Sequence, residues 1–385
     1  MDQRRMAEVQ EDQFVFGADG SFNDGGFVIS SNGVVEAPER LMRKTSDGAM
    51  VEGVPTSSNN VILVKSLDEF RKSYTFRSST EGSSTLGRGS AGRVYLAHHS
   101  RTGRKIAVKE INVYDEEKRK QLRKELQTLI SHQSRFLVRS FGAFYDGAGV
   151  VHVALEFMDR GSLADIVLQR GRIPEPVVCK LMEHCLRGLA FLHENHILHR
   201  DVKTANILLS RKLCRAKLSD FGLARDLEAD NTSKTDSFVG TVAYMSPERL
   251  HGRRYTYASD IWSLGITVME CVMGKFPFDT PKSYFDIVDA AQSDPAVLVQ
   301  NEEISNDCVD FIRLCLHADM QERPRARDLL QHEWIRSRKD DANVLREWLD
   351  TIPRLHCEDV KVGSELAFNA MEKQRARLRA KADFL

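Results

Sequence analysis

The chain has 385 residues, room for two domains or for one domain with tails. It is 42% hydrophobic and 29% charged, a composition that suits a globular protein with a sizeable core and excludes a fibrous or low-complexity one. Lys plus Arg (55) balances Asp plus Glu (55), so net charge gives no general pull towards nucleic acid or a membrane surface.

The N-terminal stretch MDQRRMAEVQEDQF lacks the apolar core of a signal peptide. No uncharged apolar run has the length to span a bilayer. The 7 cysteines are scattered, with no CxxC pair, which argues against a disulfide scaffold or a zinc site. A cytoplasmic protein is expected, with the nucleus as a second location and with neither membrane nor nucleic acid as a partner.

Residues 1–60 are rich in Gly, Ser, Asn and Asp and read as a flexible tail, with one small hairpin around Ser31-Asn32-Gly33. Residues 61–81 read as a linker or leading segment. A folded domain is expected over 82–337, strand-rich with one helix at about 82–157 and mostly helical at about 158–337. Residues 338–385 read as a charged, helical extension.

LGRGSAGRVYLA places Gly87, Gly89, Gly92 and Val94 in the pattern G-x-G-x-x-G-x-V. A loop with so little side-chain bulk can lay its backbone N–H groups over phosphate oxygens. A dinucleotide-binding fold would continue as a helix. Here RVYLAHH follows, which alternates as a strand does, so a nucleotide lid is favoured.

In RKIAVKEI, period-two alternation sets Ala107, Lys109 and Ile111 on one face of a strand. An inward Lys109 needs an anionic partner. The next helix, EEKRKQLRKELQTLI, carries an apolar stripe of Leu122, Leu126 and Leu129, and Glu125 shares that side. Glu125 is therefore assigned to Lys109. Further on come HRDVKTANILL and LSDFGLA. Phosphoryl transfer needs a carboxylate near the attacking hydroxyl and hard oxygen ligands for Mg²⁺. Asp201 fits the first need, and Lys203 can neutralise charge on the moving phosphate. Asn206 and Asp220 supply the metal ligands.

These motifs in this order resemble the eukaryotic protein kinases over roughly Gly82 to Ile335. The resemblance implies an α+β, bilobal fold: a small antiparallel β-rich N-lobe with one main helix, and a larger helical C-lobe. It implies ATP and Mg²⁺ as cofactors. ALEFMDRGSL would be the hinge, with Leu155 as gatekeeper and the backbones of Glu156 and Met158 bonding adenine. Ala107 would line the same nucleotide site. Glu248 of SPE should pair with Arg323, and Asp260 should brace the His199–Arg200 backbone.

Within that family, SFVGTVAYMSPERLHGRRYTYASDIWSLGI is most similar to the MAP kinase kinases. The resemblance implies a MAP kinase as substrate, an upstream activating kinase, a scaffold partner, and phosphorylation of Ser or Thr together with Tyr. Ser233 and Ser237 have the spacing of the activation sites in animal members, with Thr232 and Thr235 in reserve. Arg200 is the natural partner for the added phosphate. Thr241 matches the threonine that positions the substrate hydroxyl. One departure stands out: Thr204-Ala205 occupies the place where MAP kinase kinases usually have Pro-Ser. That variant is similar to MAP kinase kinase kinases and germinal-centre-type kinases, so a kinase of that kind stays open. A scaffold whose kinase fold mainly binds partners also stays open, though the intact Lys109, Asp201, Asn206 and Asp220 speak against it. In the extension, NVLREWLDTI sets Val344, Leu345 and Leu349 near Trp348 as an apolar face. It would pack on its own domain or serve as a docking surface.

Overall fold

A computed structural model describes residues 15–16, 22–23, 27–30, 33–36, 42–44, 50–52, 74–76, 85–89, 92–112, 133–145, 150–220, 243–252, 256–277, 299, 304–337 and 343–355. The chain forms two compact units: Met1–Arg123 with Ser140–Glu156, and Lys124–Arg139 with Phe157–Leu385.

In the first unit, the described residues of the stretch read as a tail form six short strands. These are β1 (Val15–Phe16), β2 (Phe22–Asn23), β3 (Phe27–Ser30), β4 (Gly33–Glu36), β5 (Met42–Lys44) and β6 (Met50–Glu52). The first four form one antiparallel sheet, and β5 pairs with β6. The hairpin expected around Ser31-Asn32-Gly33 is the β3–β4 pair, closed by Ser30 opposite Gly33.

The main sheet of this unit is built from β7 (Tyr74–Phe76), β8 (Thr85–Gly89), β9 (Gly92–His99), β10 (Lys105–Asn112), β11 (Ser140–Tyr145) and β12 (Val150–Glu156). Its order is β11-β12-β10-β9-β7, and β8 lies along β9 as well. All pairs are antiparallel. β7 falls in the stretch read as a leading segment. Ala97, Ile106, Val108, Phe141 and Ala154 form the apolar cluster on one face of this sheet, with Tyr95 packed against it. Arg104 lies over the Phe141 ring at 5.1 Å.

In the second unit, the helices among the described residues are α1 (Leu163–Arg170), α2 (Glu175–Glu194), α3 (Pro247–Leu250), α4 (Tyr257–Met273), α5 (Asn306–Cys315), α6 (Ala326–Leu329), α7 (Glu333–Arg336) and α8 (Val344–Thr351). Between α2 and α3 lies the hairpin of β13 (Ile207–Ser210) and β14 (Arg215–Leu218). Helix starts follow capping signals in the sequence. Ser162 caps α1 by accepting from the Asp165 N–H, and Asp165 accepts in turn from the Ser162 N–H, a reciprocal capping box. Pro174 leads into α2 and Ser305 caps α5. Gly274 ends α4 at φ 71°, where a Cβ would run into the Arg172 backbone nitrogen.

α4 is buried on nearly all sides, because SDIWSLGITVMECVM is apolar all round. Trp262, Trp334 and Phe311 are among the largest fully buried side chains. Glu175, in the first turn of α2, accepts from Ser305 N at 2.8 Å, Ser305 Oγ at 2.6 Å and Trp334 Nε1 at 2.9 Å. One buried carboxylate thus ties α2, the cap of α5 and α7 together, with its charge met by three donors.

α8 packs on its own unit. Leu345, Leu349 and Ile352 are buried. Arg160 Nε donates to the Leu349 carbonyl at 3.2 Å, and the Leu355 N–H donates to the Asp159 carbonyl at 3.0 Å. Arg211 pairs with Asp350. The final segment from 356 lies outside the described residues. Among the described residues, no helix is long and apolar enough to cross a membrane.

Candidate active site

The first unit contributes a glycine hairpin and a buried lysine. β8 and β9 pair with Gly89 opposite Gly92 and Gly87 opposite Val94, so the connection between the strands is only two residues long. Gly92 has φ 137°, and a Cβ there would collide with the Glu110 carbonyl oxygen. Only glycine satisfies that position. Strand register then gathers the neighbours. Val94 lies opposite Lys109, Leu96 opposite Ala107, and Ala107 opposite Leu155. Opposed residues in antiparallel strands share a face. Val94, Ala107, Lys109 and Leu155 therefore line one face, as alternation in the sequence predicts. Lys109 is only 5% exposed. Glu156 ends β12, and Met158, buried, follows in the second unit. Glu125, assigned to Lys109, lies outside the described residues.

The second unit holds the other polar set. Lys203 Nζ is 2.8 Å from Asp201 Oδ2. Asn206 Nδ2 donates to the same Asp201 oxygen at 2.8 Å and to the Asp201 carbonyl at 2.8 Å. Asn206 sits in a 3₁₀ turn, Thr204–Asn206, immediately before β13. Asp220 comes two residues after β14. Because β13 and β14 are a hairpin with Ile207 opposite Leu218, its open end brings these two positions together. Ser219 fixes that end: its N–H and its hydroxyl both donate to the Asn206 carbonyl, at 2.9 and 3.1 Å. The Asn206 amide nitrogen is committed to Asp201, so what Asn206 offers a cation is its amide oxygen. With the Asp220 carboxylate this is a hard-oxygen set, suited to a divalent ion of the magnesium type.

Strain marks the same place. Arg200 and Asp220 are two of the four non-glycine residues with positive φ among the described residues, at 69° and 56°. The Arg200 backbone is held from both ends. Its N–H donates to Asp260 Oδ1 at 2.8 Å, and its carbonyl accepts from Arg249 Nη1 at 2.8 Å. Asp260 Oδ2 takes the His199 N–H at 2.9 Å, the brace expected from sequence, and also meets His193 Nε2 at 2.9 Å. Burial alone would raise the Asp260 carboxyl, but its bonds and charges from His193 and His199 hold it below its ordinary value. Burial lowers the His199 imidazole against the pull of Asp260, Asp201 and Asp220. Glu248 and Arg323 form the expected pair, bidentate at 2.8 and 2.9 Å.

Sequence reasoning missed four groups. Arg249 was passed over as part of SPER. Glu270 was missed although an acid inside the apolar run GITVMECVM is a signal. Thr204, noted only as a departure, directs its hydroxyl to Glu270, as does Tyr244. Ser233, Ser237, Thr232, Thr235 and Thr241 lie outside the described residues.

Residues 80–335 match the protein kinase domain family. The chain is 38% identical over 266 residues to mitogen-activated protein kinase kinase 1c of Physcomitrium patens, covering 66% of this chain and 76% of that one. It is 37% identical over 274 residues to mitogen-activated protein kinase kinase 1 of Arabidopsis thaliana, covering 69% and 77%. It is 47% identical over 195 residues to dual specificity mitogen-activated protein kinase kinase 1 of Dictyostelium discoideum, covering 50% and 29%.

Proposed function

The chain belongs to the protein kinase family and, within it, to the MAP kinase kinases, and from that premise we propose that it moves the ATP γ-phosphate onto Thr and Tyr in the activation loop of a MAP kinase. The observation that carries the reading is the Asp201 carboxylate, held between Lys203 Nζ and Asn206 Nδ2, with Asp220 at the open end of the same hairpin.

In this reading Asp201 orients the acceptor hydroxyl and takes its proton as the oxygen attacks phosphorus. Lys203 neutralises charge on the transferring group. Asn206 and Asp220 would hold the divalent cation, proposed as Mg²⁺, which supplies charge stabilisation on the phosphate oxygens. Gly87, Gly89 and Gly92 would cover the phosphates, and Lys109, paired with Glu125, would clamp them. Val94, Ala107 and Leu155 would enclose the adenine, which the backbones of Glu156 and Met158 would bond. Thr241 would position the acceptor. The names of the relatives support a MAP kinase substrate, and the Dictyostelium name supports dual specificity. An upstream kinase would act on Ser233 and Ser237, and the added charge would be met by Arg200.

The test uses protein with Ser233 and Ser237 made acidic, incubated with ATP, Mg²⁺ and a panel of kinase-dead MAP kinases. Mass spectrometry then locates the phosphate. Transfer to both Thr and Tyr of one loop is expected, and Lys109→Met should abolish it. Transfer to generic Ser/Thr substrates alone would move the chain to another kinase group.

A further inference from the structure

Thr204 follows Lys203 directly and is 1% exposed. Its hydroxyl donates to Glu270 Oε2 at 3.0 Å. The Tyr244 hydroxyl donates to the same oxygen at 2.5 Å, and the two hydroxyl oxygens are 3.4 Å apart. The three side chains come from three places: the turn that carries Asn206, the long buried helix α4, and the stretch that leads from Thr241 to α3. Tyr244 is fixed further. Its carbonyl accepts from Ser263 Oγ at 2.8 Å, and its ring meets Phe276 edge-on at 5.4 Å.

The electrostatics fit a buried node. Burial raises the Glu270 carboxyl above its ordinary value, and the two hydroxyl donors pull against that rise. Burial and then the Glu270 charge push the Tyr244 phenol well above its usual range, so it remains a donor near neutral pH. Bonds to a desolvated carboxylate are stronger than neutral ones and couple to each other.

The chemistry of transfer uses Asp201, Lys203 and Asn206, and asks nothing of a hydroxyl at 204. What the node supplies is geometry. Resting on the kinase reading, we propose that Thr204 is a positioning residue that sets the protein acceptor against the catalytic loop, with Glu270 as the shared post and Tyr244 as the opposite arm. The segment carrying Tyr244 begins two residues after Thr241, so it is the described part of the chain nearest in sequence to the acceptor-binding stretch. A proline at 204, usual in the MAP kinase kinases this chain resembles, has no hydroxyl to donate. Here the catalytic loop and the acceptor segment are joined through one carboxylate instead. Small misplacements of an acceptor hydroxyl are costly in rate, so the node should be felt by the protein substrate and not by the nucleotide.

Steady-state kinetics on Thr204→Val, Thr204→Ser, Tyr244→Phe and the double variant that combines Thr204→Val with Tyr244→Phe test this, with a folded kinase-dead MAP kinase as acceptor. ATP is varied in parallel, and the melting temperature of each variant is recorded. Thr204→Val is expected to lower kcat/KM for the acceptor about tenfold while the ATP KM moves by less than about twofold. Thr204→Ser should restore activity to within about twofold of the wild type, because it keeps the donor. Tyr244→Phe should match Thr204→Val, and the double variant should be no worse than the poorer single one, since both arms end on one oxygen. Losses that multiply, an ATP KM that rises in step, or a serine variant as poor as the valine variant would overturn the proposal. Wild-type protein that, after activation by an upstream kinase, still transfers phosphate to no acceptor overturns the kinase reading and this inference with it. Active wild type that is indifferent to Thr204→Val overturns the inference alone.

Discussion

At Asp201 one carboxylate oxygen receives both Lys203 and Asn206, which fixes the carboxylate that the proposed mechanism uses to meet the acceptor hydroxyl. Asp201→Asn keeps the shape and removes the proposed base. Phosphoryl transfer in single turnover should fall by about 10²- to 10⁴-fold, with the melting temperature preserved. Asp220→Asn weakens the proposed hard-oxygen ligand without changing its size. A Mg²⁺ titration of activity should shift its midpoint upward by about tenfold or more. Both outcomes follow from groups that lie within 20 residues of one another along the chain, which is why they were legible in the sequence. Thr204, Glu270 and Tyr244 were not legible. Thr204 and Glu270 are 66 residues apart, and Tyr244 is 26 from Glu270. Their meeting depends on how α4 runs through the core, and no spacing rule reports that. The same reasoning covers Arg160, whose bond to the Leu349 carbonyl spans 189 residues.

Among elements, α3 and α4 show how charge holds a helical unit. Arg323 is anchored by Glu248, by the Ala258 carbonyl at 3.2 Å and by its stacking over Trp262 at 4.8 Å. Burial would raise the Glu248 carboxyl, but the bonds and charge of Arg323, with the Ser259 hydroxyl, bring it below its ordinary value of 4.5. A depressed folded value means that the pair stabilises the fold above the unfolded value, and that this stability is lost as pH falls through the folded value. Arg323→Met leaves burial to dominate, so the sign reverses. The variant should cost about 3–5 kcal/mol near neutral pH and should regain stability on mild acidification. Thermal melts across mildly acidic to neutral pH check both statements: no dependence of this sign in the variant would refute them.

α8 separates two kinds of contact. Leu349 is fully buried, and Leu349→Ala should cost about 2–5 kcal/mol in a urea titration. Asp350 is exposed, and removing its pair with Arg211 should leave the urea midpoint where it was. The amphipathic pattern of NVLREWLDTI was enough to find this helix and its buried face. Which surface it covers was not, because Asp159, Arg160 and Arg211, the residues that hold it, lie far upstream.

At the scale of the molecule, a strand-rich unit and a helical unit make up the α+β protein kinase fold, and the alternation of RKIAVKEI against the long apolar helix of SDIWSLGITVMECVM announced that division. Among the described residues, six short strands precede residue 60, in a stretch whose Gly, Ser and Asn suggest disorder as readily as they suggest turns. The central claim is that this kinase acts on a folded MAP kinase. Its most direct test is the initial rate of phosphate transfer, after activation by an upstream kinase, to a kinase-dead MAP kinase against a synthetic peptide of that protein's own Thr-x-Tyr loop. Strong preference for the folded protein, with phosphate on both Thr and Tyr and none transferred by Asp201→Asn, is the result expected. Equal rates on protein and peptide, or phosphate confined to unrelated Ser/Thr substrates, would contradict it.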